Sequence, residues 1–251
     1  MKLRYSWEAP HAGSVRTQGW NRIAQFVLTL VCAFSLKWYY SAAGANQLRW
    51  ILAPTAALVE AVSGVSFEFE SGAGYLSADR HFLIAASCAG VNFLITAFLM
   101  ISLRRLLRNG SPELSRGFIP AALATAYLAT LVANTVRIAI ALRLQQSAIE
   151  WLDHAQLHRL EGIVVYFGFL LLLFLVDEMM DSKKEARMLR SVLPLAVYYA
   201  MMLGIPLLNG AWRQGTEFWE HSLFVLLIPL LLIIPVVTLH FFKKGNLTQR
   251  R

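Results

Sequence analysis

Residues 82–105 read FLIAASCAGVNFLITAFLMISLRR. No charged side chain occurs from Phe82 to Leu103, and two arginines close the run. At about 1.5 Å per residue, a helix of this length crosses roughly 30 Å of hydrocarbon. The segment is therefore predicted to span a membrane, and comparable apolar runs lie on both sides of it. Composition carries the same bias: 57% of the 251 residues are hydrophobic and 15% are charged, where a soluble domain holds about 25% charged.

Five more spans are predicted, at Ile23–Tyr40, Phe118–Leu142, Gly162–Val176, Ser191–Leu208 and Ser222–Phe242. The expectation is an all-α polytopic membrane bundle of about six transmembrane helices, one membrane-embedded domain over residues 1–251. A cleaved signal peptide is the rival reading of the first span, since Ala43-Gly44-Ala45 resembles a cleavage site. The long polar leader and the long apolar run favour a retained anchor. Between the first two spans, Trp50–Val65 is apolar but holds Pro54, Glu60 and Gly64; it is read as a helix lying at the membrane surface. Glu68, Glu70, Gly72 and Gly74 then mark an aqueous loop of turn or hairpin character. Loops are expected around Asn109-Gly110-Ser111-Pro112, around Trp151, Asp153, His154 and His158, and over Asp177–Arg190. Trp212, Phe218 and Trp219 suit a membrane interface.

The net charge of +8 would suggest a nucleic-acid partner in a soluble protein. Here the basic residues gather at helix ends, so membrane lipid, and no nucleic acid, is the expected partner. Lys2, Arg4, Arg16 and Arg22 precede the first span, and Arg104, Arg105, Arg108 and Arg116 follow the second. Lys183, Lys184, Arg187 and Arg190 follow the fourth, and Lys243, Lys244, Arg250 and Arg251 follow the last. The positive-inside rule assigns all of these to the cytoplasm, which puts both termini there and requires an even number of spans.

This topology brings three reactive residues to one depth. Cys88 lies sixteen residues before Arg104, or about 24 Å above the cytoplasmic end of its span. Arg137 falls near the outer end of the third span, and His158 just before the fourth. A thiolate nucleophile activated by neighbouring cations, a histidine that protonates a leaving amine and an arginine that stabilises an oxyanion would together suit covalent acyl transfer. An arginine within a span is functional by default. Each residue also has a plainer reading. Cys88 could belong to a small-residue packing face, Ser87–Gly90; Arg137 could snorkel to the interface; His158 could be an ordinary loop histidine. Cys32, mid-span and without charged neighbours, reads as core. His154 and His158 at i, i+4 with Glu161 could hold zinc, but no fuller ligand set is evident and no metal or cofactor is expected. Asp153, Glu161 and Asn134 could orient the histidine or cap helix ends.

These residues resemble a known family. Cys88-Ala89-Gly90 is similar to the C-(S/A)-G motif of exosortases and archaeosortases, Asn134-Thr135-Val136-Arg137 to their N-x-x-R motif, and His158-Arg159-Leu160-Glu161-Gly162 to their H-x-x-x-G motif. Leu52-Ala53-Pro54, Leu58-Val59 and Ser63-Gly64 resemble the segment upstream of the cysteine. The resemblance covers about residues 50–175, and the short chain is most similar to the compact subtype called exosortase K. It implies a membrane-embedded cysteine peptidase or transpeptidase with Cys88 as nucleophile, Arg137 as stabilising cation and His158 as general acid/base; Asn134, Glu161 and Gly90 would bind substrate or support the site. The implied partner is an exported protein with a C-terminal sorting signal: a short motif such as Pro-Glu-Pro, a transmembrane helix and a basic tail. The implied location is a bacterial inner membrane, with the site on its outer face. Hydrolysis or transfer to an acceptor, and the oligomeric state, stay open. A non-catalytic component of surface-polysaccharide export or assembly is the alternative, and a small transporter lined by Asn92, Asn134 and Arg137 ranks third.

Overall fold

A computed structural model describes residues 12–107, 117–145, 154–180 and 192–248. Helix α1 covers Ala12–Ala42, α2 Arg49–Ser63, α3 Val91–Leu106, α4 Phe118–Gln145 and α5 His154–Met180. Between α2 and α3, strands β1 (Phe67–Glu70), β2 (Gly74–Ser77) and β3 (Leu83–Ala85) form an antiparallel sheet in the order β1-β2-β3. After α5 come α6 (Leu193–Tyr199), a π turn (Ala200–Gly204), the single turn α7 (Ile205–Leu208) and the long α8 (Thr216–Thr248). The chain is an all-α polytopic membrane protein with a small extramembrane sheet.

Among the described residues, five helices are long and apolar enough to cross a membrane: Trp20–Ala42, Ala86–Leu106, Phe118–Gln145, Arg159–Met179 and Phe218–Pro235. Their outward faces carry large apolar side chains such as Phe34, Trp38, Leu128, Leu172 and Leu231, as contact with lipid requires. The remaining expected span is a shorter apolar segment, Leu193–Leu208. Its ladder slips at Pro206, which has no N–H to give the carbonyl four residues back. The N–H of Ile205 bonds instead to the carbonyl of Ala200, five residues back, and this produces the π turn.

Two expectations change at the start of the second span. Phe82–Ala85 is not helical: Leu83–Ala85 pairs with β2, with Tyr75 opposite Ile84, and Ala86–Ala89 forms a 3-10 turn. The α-helix begins only at Val91, after Gly90 in the left-handed conformation at φ 70°. The stretch His154–Glu161, expected as a loop, is instead the first two turns of α5. The expected hairpin forms as β1–β2, with Glu70 opposite Gly74.

The helix expected over Trp50–Val65 forms as α2, and one of its faces is fully buried. Ile51, Leu52, Thr55, Ala56 and Val59 pack inward, and α4 is its main partner. Pro54 removes the N–H that would satisfy the Trp50 carbonyl. The Tyr127 hydroxyl of α4 donates to that carbonyl at 2.8 Å, and the two rings stack at 5.8 Å.

Hydrogen bonds fix the helix directions. Lys37, near the end of α1, donates to Asn92 at the start of α3 at 2.8 Å. Gln145, at the end of α4, donates to the His81 carbonyl at 3.2 Å. Helices α3 and α5 run in parallel, and their ends are clamped together. Arg104, 8% exposed, pairs with Asp177 and with Glu178 at 3.3 Å. It also donates to the Phe174 carbonyl at 3.0 Å. The loops 108–116 and 181–190, with Arg108, Arg116, Lys183, Lys184, Arg187 and Arg190, lie outside the described residues.

Arg104→Ala is expected to remove about 1–3 kcal/mol, because it strands a buried carbonyl and releases two carboxylates. The check is the thermal unfolding midpoint in detergent: a fall that Arg104→Lys only partly recovers supports the clamp, and an unchanged midpoint rejects it.

Candidate active site

Asn134 and Arg137 lie three residues apart on α4 and so share a face. Above them toward the helix start, Ala122, Ala126, Thr130 and Ala133 are buried. This stripe of small side chains lets neighbouring backbones approach closely. Gly90 occupies the resulting space. A Cβ there would lie 3.2 Å from Thr130 Cγ2, 3.3 Å from Asn134 Cγ and 3.4 Å from the Tyr166 hydroxyl, and the positive φ disfavours any other residue.

Asn134 is 0% exposed and uses both ends of its amide. Its Nδ2 donates to the Cys88 carbonyl at 2.6 Å. Its Oδ1 accepts from Arg137 Nε at 3.1 Å and from the Tyr166 hydroxyl at 2.8 Å. One side chain thus ties the Cys88 turn to α4 and α5. Tyr166 is held in place by Phe93 of α3, whose ring stacks on it at 5.0 Å.

Arg137 is 5% exposed, so it does not snorkel away into water. Its guanidinium lies within hydrogen-bond reach of the Cys88 side chain and within electrostatic range of Glu161 and Tyr166. It sits 5.6 Å from the Tyr166 ring centroid. Tyr40 of α1 lies in electrostatic range of both Cys88 and Arg137, and Lys37 sits 5.7 Å from the Tyr40 ring. Cys88 itself is half-buried beside the exposed Ser87, with a free thiol. A thiol facing a buried, immobilised cation can attack a carbonyl that approaches from the open side, and any charge developing on it or on a bound acyl group meets a fixed positive partner.

Of the residues read from the sequence, Cys88, Arg137, Asn134, Glu161 and Gly90 gather at one end of the bundle. Glu161 is 8% exposed near the start of α5. His158 lies in α5 one turn ahead of it; its side chain, like those of His154 and Asp153, lies outside the described residues. Cys32 is on α1, in contact with the buried core, in keeping with its reading as a packing residue. Asn92 serves as the acceptor for Lys37.

The residues not anticipated are Tyr166, Tyr40 and Lys37. Tyr166 left a signal: it is the one hydrogen-bonding side chain in the run Gly162–Val176, and a phenol at that depth needs a partner. Away from the spans, Asp79 shapes the approach to β3. It accepts from the Ser77 hydroxyl at 2.5 Å and from the His81 N–H at 3.2 Å. Those hydrogen bonds, Ser77's foremost, hold its carboxyl below the usual carboxylate range.

The family model described as transmembrane exosortase matches residues 13–175 of the chain. No curated protein matches, and no solved structure matches.

Gly90 and Gly64 both adopt positive φ, but a Cβ at Gly64 meets nothing within 4 Å. Gly90→Ala is therefore expected to lower stability by more than Gly64→Ala, which carries only the backbone strain of about 1 kcal/mol. Detergent melting of both variants checks this; equal losses would mean that the Thr130, Asn134 and Tyr166 contacts relax without cost.

Proposed function

The chain belongs to the transmembrane exosortase family, and from that premise we propose that it is a cysteine peptidase or transpeptidase whose nucleophile is Cys88. The observation that supports this reading most is the meeting of the Cys88 side chain and the buried Arg137 guanidinium. The substrate is an exported protein whose C-terminal sorting signal comprises a short motif, a transmembrane helix and a basic tail.

In the reaction, the Cys88 thiolate attacks the scissile carbonyl carbon, forming the C–S bond and a tetrahedral oxyanion. Arg137 lies beside the thiol and faces that negative charge. Collapse breaks the C–N bond, and His158 gives its proton to the leaving amine. Water or an amine acceptor then attacks the thioester, His158 takes the proton from it, and the Cys88 thiolate leaves. Asn134 keeps the Cys88 turn and Arg137 in register, and Glu161 adds a carboxylate near the start of α5.

The substrate's geometry matches this placement. Its basic tail stays cytoplasmic by the charge rule, so its motif emerges at the opposite interface. That is the level of Cys88 if the arginine-rich ends of the enzyme also face the cytoplasm. The location that follows is a bacterial inner membrane, with the site on the extracytoplasmic side.

The test is co-expression with a reporter carrying such a tail, read by intact mass. Cys88→Ala is expected to abolish cleavage and Arg137→Ala to slow it roughly 10²–10³-fold. His158→Ala is also expected to abolish cleavage, all at matched membrane levels. The product mass separates hydrolysis from transfer. Full cleavage by Cys88→Ala would reject the enzyme reading and favour a non-catalytic component of polysaccharide export. In intact spheroplasts, a membrane-impermeant maleimide is expected to label Cys88; labelling only after lysis would put the site on the cytoplasmic side.

A further inference from the structure

Strand β3 is the last extended chain before the turn that carries Cys88. Ala85 ends the strand, and Ala86–Ala89 follows at once. The sheet order makes β3 an edge: β2 pairs with one side, and among the described residues no strand pairs with the other.

The register shows which backbone groups face that open side. The Ser77 N–H bonds to the Phe82 carbonyl, and the ladder continues with Leu76 opposite Leu83 and Tyr75 opposite Ile84. In an antiparallel pair, hydrogen-bonded and non-hydrogen-bonded positions alternate. Phe82 and Ile84 therefore turn their amides and carbonyls toward β2, and Leu83 and Ala85 turn theirs away from it. Side chains alternate as well: Ile84 is buried and Leu83 is 39% exposed.

A cleft of about 220 Å³ opens at this strand. Leu83 lines one wall, Leu144 and Gln145 from the end of α4 another, and Leu157 and Glu161 from α5 a third. No residue of β1 or β2 lines it, and Gln145 on its wall also donates to the His81 carbonyl just ahead of β3. Asp79, Ser77 and the Gln145 contact to His81 hold the strand's start in place.

Natural sheets protect free edges with charge, proline or a covering element. Leu83-Ile84-Ala85 has no charge and no proline, and it leads directly into the turn that carries Cys88. Amides and carbonyls at strand spacing are complemented by another extended backbone, and lipid chains offer no such partner. We propose that the stretch of substrate on the N-terminal side of the scissile bond docks as a fourth strand against β3. It would exchange hydrogen bonds with Leu83 and Ala85 and deliver its scissile carbonyl to Cys88. Recognition is then carried largely by backbone, with side chains selected at alternate positions by the cleft. This rests on the peptidase reading above and adds how that substrate is held.

The test is disulfide trapping in membranes. The enzyme carries Cys32→Ala, Cys88→Ala and Leu83→Cys, so that its one thiol stands on β3. Tail reporters carry a single cysteine at each successive position before the scissile bond, and each reporter is first assayed for cleavage by the native chain. Strand docking predicts crosslinks at alternate reporter positions, severalfold above those between them, as side chains alternate along a strand. Cleaved reporters that give no crosslink, or crosslinks without a period of two, overturn the docking mode and leave the peptidase reading standing. Reporters that the native chain leaves intact and that do not crosslink overturn both.

Discussion

One buried amide holds the site together. Asn134 has no exposure and satisfies itself through three elements: the Cys88 turn, its own helix and α5. An amide at that depth without partners would cost several kcal/mol, so the three elements are held at matching heights for as long as Asn134 is buried. Everything else at that end follows from this. Gly90 has to be small because Asn134 and the Tyr166 hydroxyl fill the space a Cβ would need. Arg137 can be charged and buried because its Nε has a fixed acceptor. Phe93 packs on Tyr166 and so sets the angle from which that hydroxyl reaches the amide.

The same constraint, that no backbone group goes without a partner in hydrocarbon, explains the irregular parts of the molecule. Pro54 frees a carbonyl in α2, and Tyr127 reaches from α4 to cover it. Pro206 frees another, and the ladder shifts to a π turn. Arg104 supplies a donor to the Phe174 carbonyl, about two turns along α5 from Tyr166, while pairing with two carboxylates. Outside the spans, the edge of β3 has no strand partner among the described residues, and it borders the nucleophile's turn.

Much of the fold was legible in the sequence because hydrocarbon thickness sets the length of an apolar run. The spans around Phe118–Leu142 and Gly162–Val176 were read within a few residues of the helices that form. Hydropathy does not distinguish an apolar strand from an apolar helix, so Phe82–Ala85 reads as part of a span although Leu83–Ala85 pairs with β2. Nor does it see a helix that continues past an apolar run, so the polar stretch His154–Glu161 reads as a loop although it forms the start of α5. Tyr166 reads as packing in an apolar run because only the tertiary structure gives its hydroxyl a partner.

By itself, the sequence determined that the chain lives in a membrane, in which order its spans run, and that Cys88, Arg137 and His158 fall near one end. Those are questions of height, and height is counted in residues from the charged helix ends. Which faces turn toward one another was left to the tertiary structure. That Asn134 would reach the Cys88 carbonyl across 46 positions, that Arg137 would face the thiol, and that Tyr166 would close the network depend on the rotation of each helix about its own axis. Rotation is set by where small and large side chains interlock between neighbours, and apolar runs as uniform as these carry little record of it.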